Sequence, residues 1–301
     1  MKYDVCVFGG CALDQMYYLD QNGQISRQPN ILIPGGKGSN QAVAASRAGA
    51  ITTIITRIGK DSVGENILEN LIYNNVSTNN VEMIEGIDND YAKIYIDDRT
   101  KENKIERHVG ATESFDVNMI STYQDVLLNS KIVVGQMKIP KEVSVALIDF
   151  CYEHHIPLII TPCRPEKLSI HEKENQELLD KITYITANKK ECETIFHTEN
   201  IEQCIEKYPN KLIVTLGENG LIYNNGERNI HIDAIHTPHI EDTTGAGDTF
   251  CGNLAYCLSH GYSLEDAIVR SQYASAMKIT KKTAQEGMPY KEELDQFLAQ
   301  Q

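Results

Sequence analysis

The sequence predicts an α/β protein: three layers, α/β/α, built on a mostly parallel central sheet, with a small β-sheet lid. Three observations carry that reading. From about residue 120 onward, short apolar runs alternate with helical patterns, as in a parallel sheet covered by helices on both faces. Upstream, Tyr91-Ala92-Lys93-Ile94-Tyr95-Ile96 and Ile105-Glu106-Arg107-His108-Val109 flank a charged turn, Asp97 to Lys104, as in a hairpin with one exposed face. Two glycine-dense turns, at 35–41 and 242–250, each run into an apolar helix.

Taken in order, Val5 to Phe8 reads as a short buried strand that ends in Gly9-Gly10. Residues 15 to 34 are polar with Tyr17, Tyr18, Ile31, Leu32 and Ile33 among them, and they read as short lid strands. The lid is thus expected from about 12–34 and 91–109. Ala42 to Ala50 has a helix pattern, Ile51 to Ile55 a strand pattern and Gly64 to Tyr73 a helix pattern. Strands are expected at Lys131–Val134, Pro157–Ile160, Ile182–Ile185 and Leu212–Leu216, with helices at Glu142–His154 and Lys189–Phe196 between them. Three further helices are expected, at Phe250–Leu258, Leu264–Ile279 and Glu292–Leu298.

A chain of 301 residues can bury a large core, and one domain over 1–301 fits better than two equal ones. The 28 basic and 42 acidic residues leave a net charge of −14, which argues against a nucleic-acid or anionic-membrane surface. The eight cysteines form no C-x-x-C pair and sit mostly in apolar surroundings, as reduced thiols do. Met1-Lys2-Tyr3-Asp4 leads straight into strand-like sequence rather than a signal peptide, and no apolar run approaches the ~20 residues of a membrane span. A cytoplasmic protein is the expectation.

The stretch Asp242-Thr243-Thr244-Gly245-Ala246-Gly247-Asp248-Thr249-Phe250 places small residues between two carboxylates before a helix. Glycines there let several amides point into one concavity, and a helix N-terminus attracts an anion such as a phosphate. Asp248 would stand beside that anion, placed to take a proton from an attacking hydroxyl. The same residue types are also common as helix caps. Gly35-Gly36-Lys37-Gly38-Ser39-Asn40-Gln41 is a second glycine turn with hydrogen-bonding side chains, though not a P-loop, because Gly38 follows Lys37 where Ser or Thr is required. Gly9-Gly10 is not a dinucleotide fingerprint either, so a nicotinamide oxidoreductase gains no support. Asp14, Thr161, Asn188, Thr215 and Gly217 fall at or after strand ends, where open α/β sheets bind ligands.

These stretches together resemble the PfkB carbohydrate kinase family, in its ribokinase-like branch. Gly35 through Ala45 resembles the sugar-binding signature, and Asp242 through Phe250 the D-T-x-x-A-G-D-x-F signature. Asn188-Lys189-Lys190-Glu191 is similar to the N-x-x-E element, and Thr215-Leu216-Gly217-Glu218-Asn219-Gly220 to the T-L-G-x-x-G nucleotide loop. Four motifs in order span essentially the whole chain. The resemblance implies a ribokinase-like fold and ATP-dependent transfer of a γ-phosphoryl group to a hydroxyl of a sugar or nucleoside, a reaction that asks for positioning and charge stabilisation.

Carried over by residue, the resemblance makes Asp248 the base and the amides of Gly245, Ala246 and Gly247 the anion hole. Asp14, Gly35, Gly36, Lys37, Gly38, Ser39, Asn40 and Lys138 fall at acceptor-binding positions. Asn188, Thr215 to Gly220, Gly247 and Gln272 fall at ATP-binding positions, and Glu191 at one that holds Mg²⁺ through water. Asp242, Thr244, Lys278, Lys281, Thr283 and Gly287 correspond to a monovalent-cation site, so K⁺ is a possible activator, with Thr283 and Gly287 replacing the usual Gly and Ser. A homodimer through the lid is also implied.

Three departures concern the acceptor. Ala12 replaces an Asn, Lys138 replaces a Glu that contacts the sugar, and Thr161-Pro162-Cys163-Arg164 replaces N-P-A-P. A Lys donates hydrogen bonds and attracts negative charge, so Lys138, with Arg164, raises the alternative of a phosphorylated or acidic sugar. A non-catalytic sugar-binding regulator on the same fold is a further alternative.

Overall fold

The first apolar run forms an interior strand of a nine-stranded sheet. The structure is a computed structural model that describes residues 3–20, 22, 24–27, 32–97 and 103–300. Its early strands are β1 (Tyr3–Phe8), β2 (Ala12–Leu19), β3 (Ile25–Arg27), β4 (Leu32–Gly35), β5 (Thr52–Gly59) and β6 (Val81–Ile84). The hairpin strands β7 (Asp90–Asp97) and β8 (Asn103–His108) follow, then β9 (Ser130–Gln136), β10 (Leu158–Thr161), β11 (Tyr184–Asn188) and β12 (Leu212–Thr215). The last two are β13 (Leu221–Asn224) and β14 (Asn229–Ile232).

The large sheet runs β14-β13-β12-β11-β10-β9-β1-β5-β6, parallel except where β13 pairs antiparallel with β12 and β14. Every residue of β1 is buried, and alternate side chains enter opposite layers, as strand geometry requires. Val5 and Val7 join Ala42, Val43, Phe250 and Leu254 on one face. Cys6 and Phe8 join Val143, Leu147 and Cys151 on the other. The helices Lys37–Arg47 and Ala246–Ser259 therefore pack on one side of the sheet and Lys141–Glu153 on the opposite side.

The register brings the carboxyl ends of the strands together. Thr161 pairs with Gln136, and Asn188 pairs with Thr215. This edge is where the sequence reading put the ligand.

The strands expected to form a lid make a second, smaller sheet, ordered β3-β2-β7-β8 with β4 on β2. The expected hairpin is present as β7 against β8, while β2 pairs parallel with β7, a pairing that neither strand announces alone. Ile31 and residues 98–102 of the charged turn lie outside the described residues.

Several boundaries differ from expectation. The first glycine turn is largely helical: Lys37 to Gln41 form the opening of the Lys37–Arg47 helix. The strand expected at Ile182–Ile185 is Tyr184–Asn188, because Ile182 ends an unforeseen helix, Lys173–Lys181. Strands β6, β13 and β14 were also unforeseen; each has only four residues, too few to show a period. No described helix is long and apolar enough to cross a membrane.

Candidate active site

Asp248 lies in the first turn of the Ala246–Ser259 helix, whose N-cap is Gly245. Gly245 has φ 81°, and a β-carbon there would lie 2.5 Å from the Ala284 carbonyl oxygen, so both conformation and contact demand glycine. Gly247 faces open space, whereas the Ala246 amide turns back to donate to the Thr243 carbonyl at 3.2 Å. Phe250, Cys251 and Leu254 anchor the helix in the core. Gly252 lets it close on the Lys37–Arg47 helix: a β-carbon on Gly252 would come within 2.5 Å of that of Ala44.

This approach brings the two signatures into hydrogen-bonding contact. Asp248 is 6% exposed, its Oδ2 accepts from Asn40 Nδ2 at 3.0 Å, and its Oδ1 accepts from Gln41 Nε2 at 3.1 Å. Gln41 is held in turn by Gln136, whose Nε2 donates to Gln41 Oε1 at 2.7 Å. On the other branch Gln285 Nε2 donates to Asn40 Oδ1 at 2.9 Å, and Asn70 Nδ2 to Gln285 Oε1 at 2.9 Å. The carboxylate is thus fixed in orientation, and each oxygen retains a lone pair for a further donor. The Asp248 carboxylate holds the neighbouring Lys37 ammonium well above the ordinary lysine range. Burial pushes the Cys163 thiol up to about 11, against the pull of Lys37. Ser39 is buried, and its hydroxyl donates to the Gly35 carbonyl.

On the lid side, Asp14 stands in β2 between Ile33 of β4 and Ala92 of β7. Burial raises its carboxyl above the usual range, opposed by the charges of Lys138 and Arg107. Lys138 does not stand alone: its Nζ is 3.8 Å from Asp90 Oδ2. Arg164 opens the short 3₁₀ turn Pro165–Leu168, where its charge acts on Lys167. Ala12 is buried in the lid sheet opposite Gly35.

At the positions expected to bind ATP, Asn188 and Glu191 form a capping box, with Asn188 Oδ1 accepting from the Glu191 amide and Glu191 Oε2 from the Asn188 amide, each at 2.9 Å. The loop after β12 closes by a Leu216 amide to Gly220 carbonyl bond of 2.7 Å around the 3₁₀ turn Gly217–Asn219, leaving Glu218 and Asn219 exposed. Thr215 Oγ1 donates to the Ala187 carbonyl at 3.4 Å. Gln272 Nε2 donates to the Asp233 carbonyl just past β14, and its buried Oε1 has no hydrogen-bond partner.

The candidate cation loop folds beneath Gly245. Asp242 Oδ1 accepts from the Thr244 amide at 2.8 Å, and the Asp242 carbonyl accepts from the fully buried Lys278 Nζ at 2.7 Å. Burial lowers the Lys278 ammonium from its ordinary range, with Asp242 opposing. The Lys278 carbonyl accepts from the Lys281 amide at 3.2 Å and lies 2.3 Å from where a Gly287 β-carbon would be. Thr283 adopts φ 59°, the left-handed region where a glycine is the easier residue. Among the described residues no group of three or more His, Cys, Asp or Glu is arranged to hold a metal.

The pfkB family carbohydrate kinase model matches residues 2–291 of this chain. The chain belongs to the pfkB carbohydrate kinase family. Among this kinase's relatives, the ribokinase of Bacillus subtilis is 31% identical, over 98% of this chain and 99% of the relative. The ribokinase of Lactococcus lactis is 36% identical, over 86% of this chain and 83% of its own. The solved structure of Arabidopsis thaliana ribokinase complexed with ribose and ATP superposes with a TM-score of 0.87 at 23% identity, covering 99% of both chains, and so shares the kinase's fold.

Four residues of the site escaped sequence reasoning as members of it. Gln41 lay inside a quoted signature without a role, and Gln136 stood at a strand end. Asp90 and Gln285 carried no local signal at all.

Proposed function

We propose that this kinase transfers the γ-phosphoryl group of ATP to a hydroxyl of ribose or a related sugar or nucleoside. One observation carries the reading: a carboxylate at a helix N-terminus, Asp248, is clamped through both oxygens by Asn40 and Gln41 of the sugar-binding signature. In that position Asp248 accepts the proton of the attacking hydroxyl as the bond to phosphorus forms. A weak base suffices, because a loose transition state releases the proton late. The turn at Gly245 and Gly247, together with the helix dipole, meets the charge on the transferring oxygens, while the Ala246 amide is already taken up by the Thr243 carbonyl. Lys37, whose charge interacts with that of Asp248, adds positive charge to the site.

Mg²⁺, bound with the nucleotide, would neutralise phosphate charge. It keeps most of its waters and needs few protein ligands, so Glu191, oriented by its capping box, fits that role with Asn188 beside it. Thr215 to Gly220 and Gln272 would line the nucleotide. A monovalent cation would be held by Asp242, Thr244 and the backbone of Lys278, Lys281, Thr283 and Gly287, a set of oxygens that suits K⁺. Lys278 already brings an ammonium to the Asp242 carbonyl, so any K⁺ requirement is expected to be partial. The reading extends to a cytoplasmic homodimer joined through lid strands, which would cover their exposed edges.

The decisive experiment is ATP turnover against a panel of sugars, nucleosides and phosphosugars, with calorimetric binding of the same compounds. Stimulation of ADP release by ribose or a relative is the expected result. Sugar binding with no acceptor-stimulated ATP use would instead establish a non-catalytic regulator.

A further inference from the structure

Asp90 is a buried carboxylate with one oxygen in use and one idle. It is 2% exposed, and its Oδ1 accepts from the Gly110 amide at 2.9 Å and the Thr112 amide at 3.0 Å. Its Oδ2 is buried with no hydrogen-bond partner, and so is the neighbouring Thr112 Oγ1. Such groups are costly when left unpaired, so a buried pair of them calls for an explanation. The Lys138 ammonium lies 3.8 Å from Oδ2, beyond the ~2.8 Å of a direct charge-assisted bond.

The pair borders the reaction centre. Thr112 Oγ1 lies 2.3 Å from where a β-carbon on Gly10 would be, and the Gly10 carbonyl accepts from the Gly38 amide at 3.0 Å, at the start of the helix that carries Asn40. Lys138 follows Gln136, which holds Gln41 against Asp248. Lys138 and Arg107 also act on Asp14. Lys138 thus lies against Asp90, and the charges of Lys138 and Arg107 act on Asp14, so the positive charge at this point is met by carboxylates.

We infer that Asp90 and Lys138 together read one hydroxyl of the acceptor, which donates to Asp90 Oδ2 and accepts from Lys138 Nζ, and that the acceptor is therefore an uncharged polyol rather than a phosphosugar or sugar acid. A hydroxyl is the group that can do both. A phosphate or carboxylate at the same point would satisfy Lys138 but meet Asp90 and Asp14 as like charges. The inference rests on the kinase reading for its acceptor site, and binding without nucleotide tests it separately.

The test uses the full chain and the best neutral polyol of the acceptor panel, beginning with ribose, against ribose 5-phosphate and ribonate. The neutral acceptor is expected to exceed both anions at least a hundredfold in kcat/KM. Asp90→Asn keeps an oxygen for the Gly110 and Thr112 amides, and Lys138→Met leaves Asp90 intact. Each is expected to raise the acceptor KM tenfold or more, with kcat and the ATP KM within threefold, and the double variant to fall short of the product of the two. Should Asp90→Asn not fold, Lys138→Met alone decides. A KM rise below tenfold in every folded variant, or preference for an anion, overturns the pair. Calorimetry without ATP distinguishes the two failures: a tenfold loss of polyol affinity in the variants upholds the pair even if no turnover is found. No polyol binding to the unmodified chain overturns it.

Discussion

The Gln285 side-chain amide donates to the Asn40 side-chain oxygen Oδ1 at 2.9 Å, joining residues 245 positions apart. That bond connects the loop after the Leu264–Lys278 helix to the clamp on Asp248. The same loop is tied down by Arg47, whose Nη1 donates to the Met288 carbonyl at 3.0 Å and whose Nε donates to Asn74 at 2.8 Å. Gln285 is therefore a positioning residue: it orients Asn40, and Asn40 orients the carboxylate. Gln285→Ala should lower kcat about tenfold, the worth of one buried hydrogen bond, while acceptor KM changes less. Steady-state kinetics checks this; an unchanged kcat would show that Asn40 holds its orientation unaided.

Asp248→Asn should remove the proton acceptor while keeping shape and one hydrogen-bond acceptor. Turnover is expected to fall by about 10²–10⁴-fold, with ATP affinity within a few-fold, measured by single-turnover phosphoryl transfer and nucleotide titration. Near-normal turnover would move the base elsewhere.

Gly252 separates the two signature helices, where a β-carbon would lie 2.5 Å from that of Ala44 and 2.7 Å from the Ala45 amide nitrogen. Gly252→Ala should cost about 1–3 kcal/mol through overpacking, visible as a lower melting temperature. It should also weaken turnover, because forcing the helices apart pulls Asp248 away from Asn40 and Gln41.

Asp14 ties stability to pH. Burial raises its folded pKa above the unfolded value, so the native state binds the extra proton and stability falls as pH rises through that interval. Asp14→Asn removes this dependence. The variant should melt like the unmodified chain well below pH 4 and at a higher temperature at pH 7, while its acceptor KM rises. A variant that melts lower at pH 7 would show that Lys138 and Arg107 outweigh the burial.

Cys163 is the cysteine with partly exposed surface, yet its thiol is pushed up to about 11 by burial. At pH 8 only about one thiolate in a thousand would be present. Alkylation by iodoacetamide should therefore be slow, and it should accelerate on raising the pH towards 10. Rapid labelling at pH 7 would contradict the environment described for Lys37 and Cys163.

The sequence alone determined the layers and pointed to the candidate site. Runs such as Val5–Phe8 announce buried strands because side chains alternate locally, and Gly245 before Asp248 announces a helix N-terminus because caps and glycine turns are short-range chemistry. Only the tertiary structure decided which side chains complete the site. Gln285 meets Asn40, Gln136 meets Gln41 and Asp90 meets Lys138 across 245, 95 and 48 positions, and single polar residues have no period that could reveal such pairs. The parallel pairing of β2 with β7 was hidden for a related reason: register between distant strands is set by the surfaces they cover, not by either strand alone. The sequence offered Lys138 as a lone cation, and the fold placed a carboxylate opposite it.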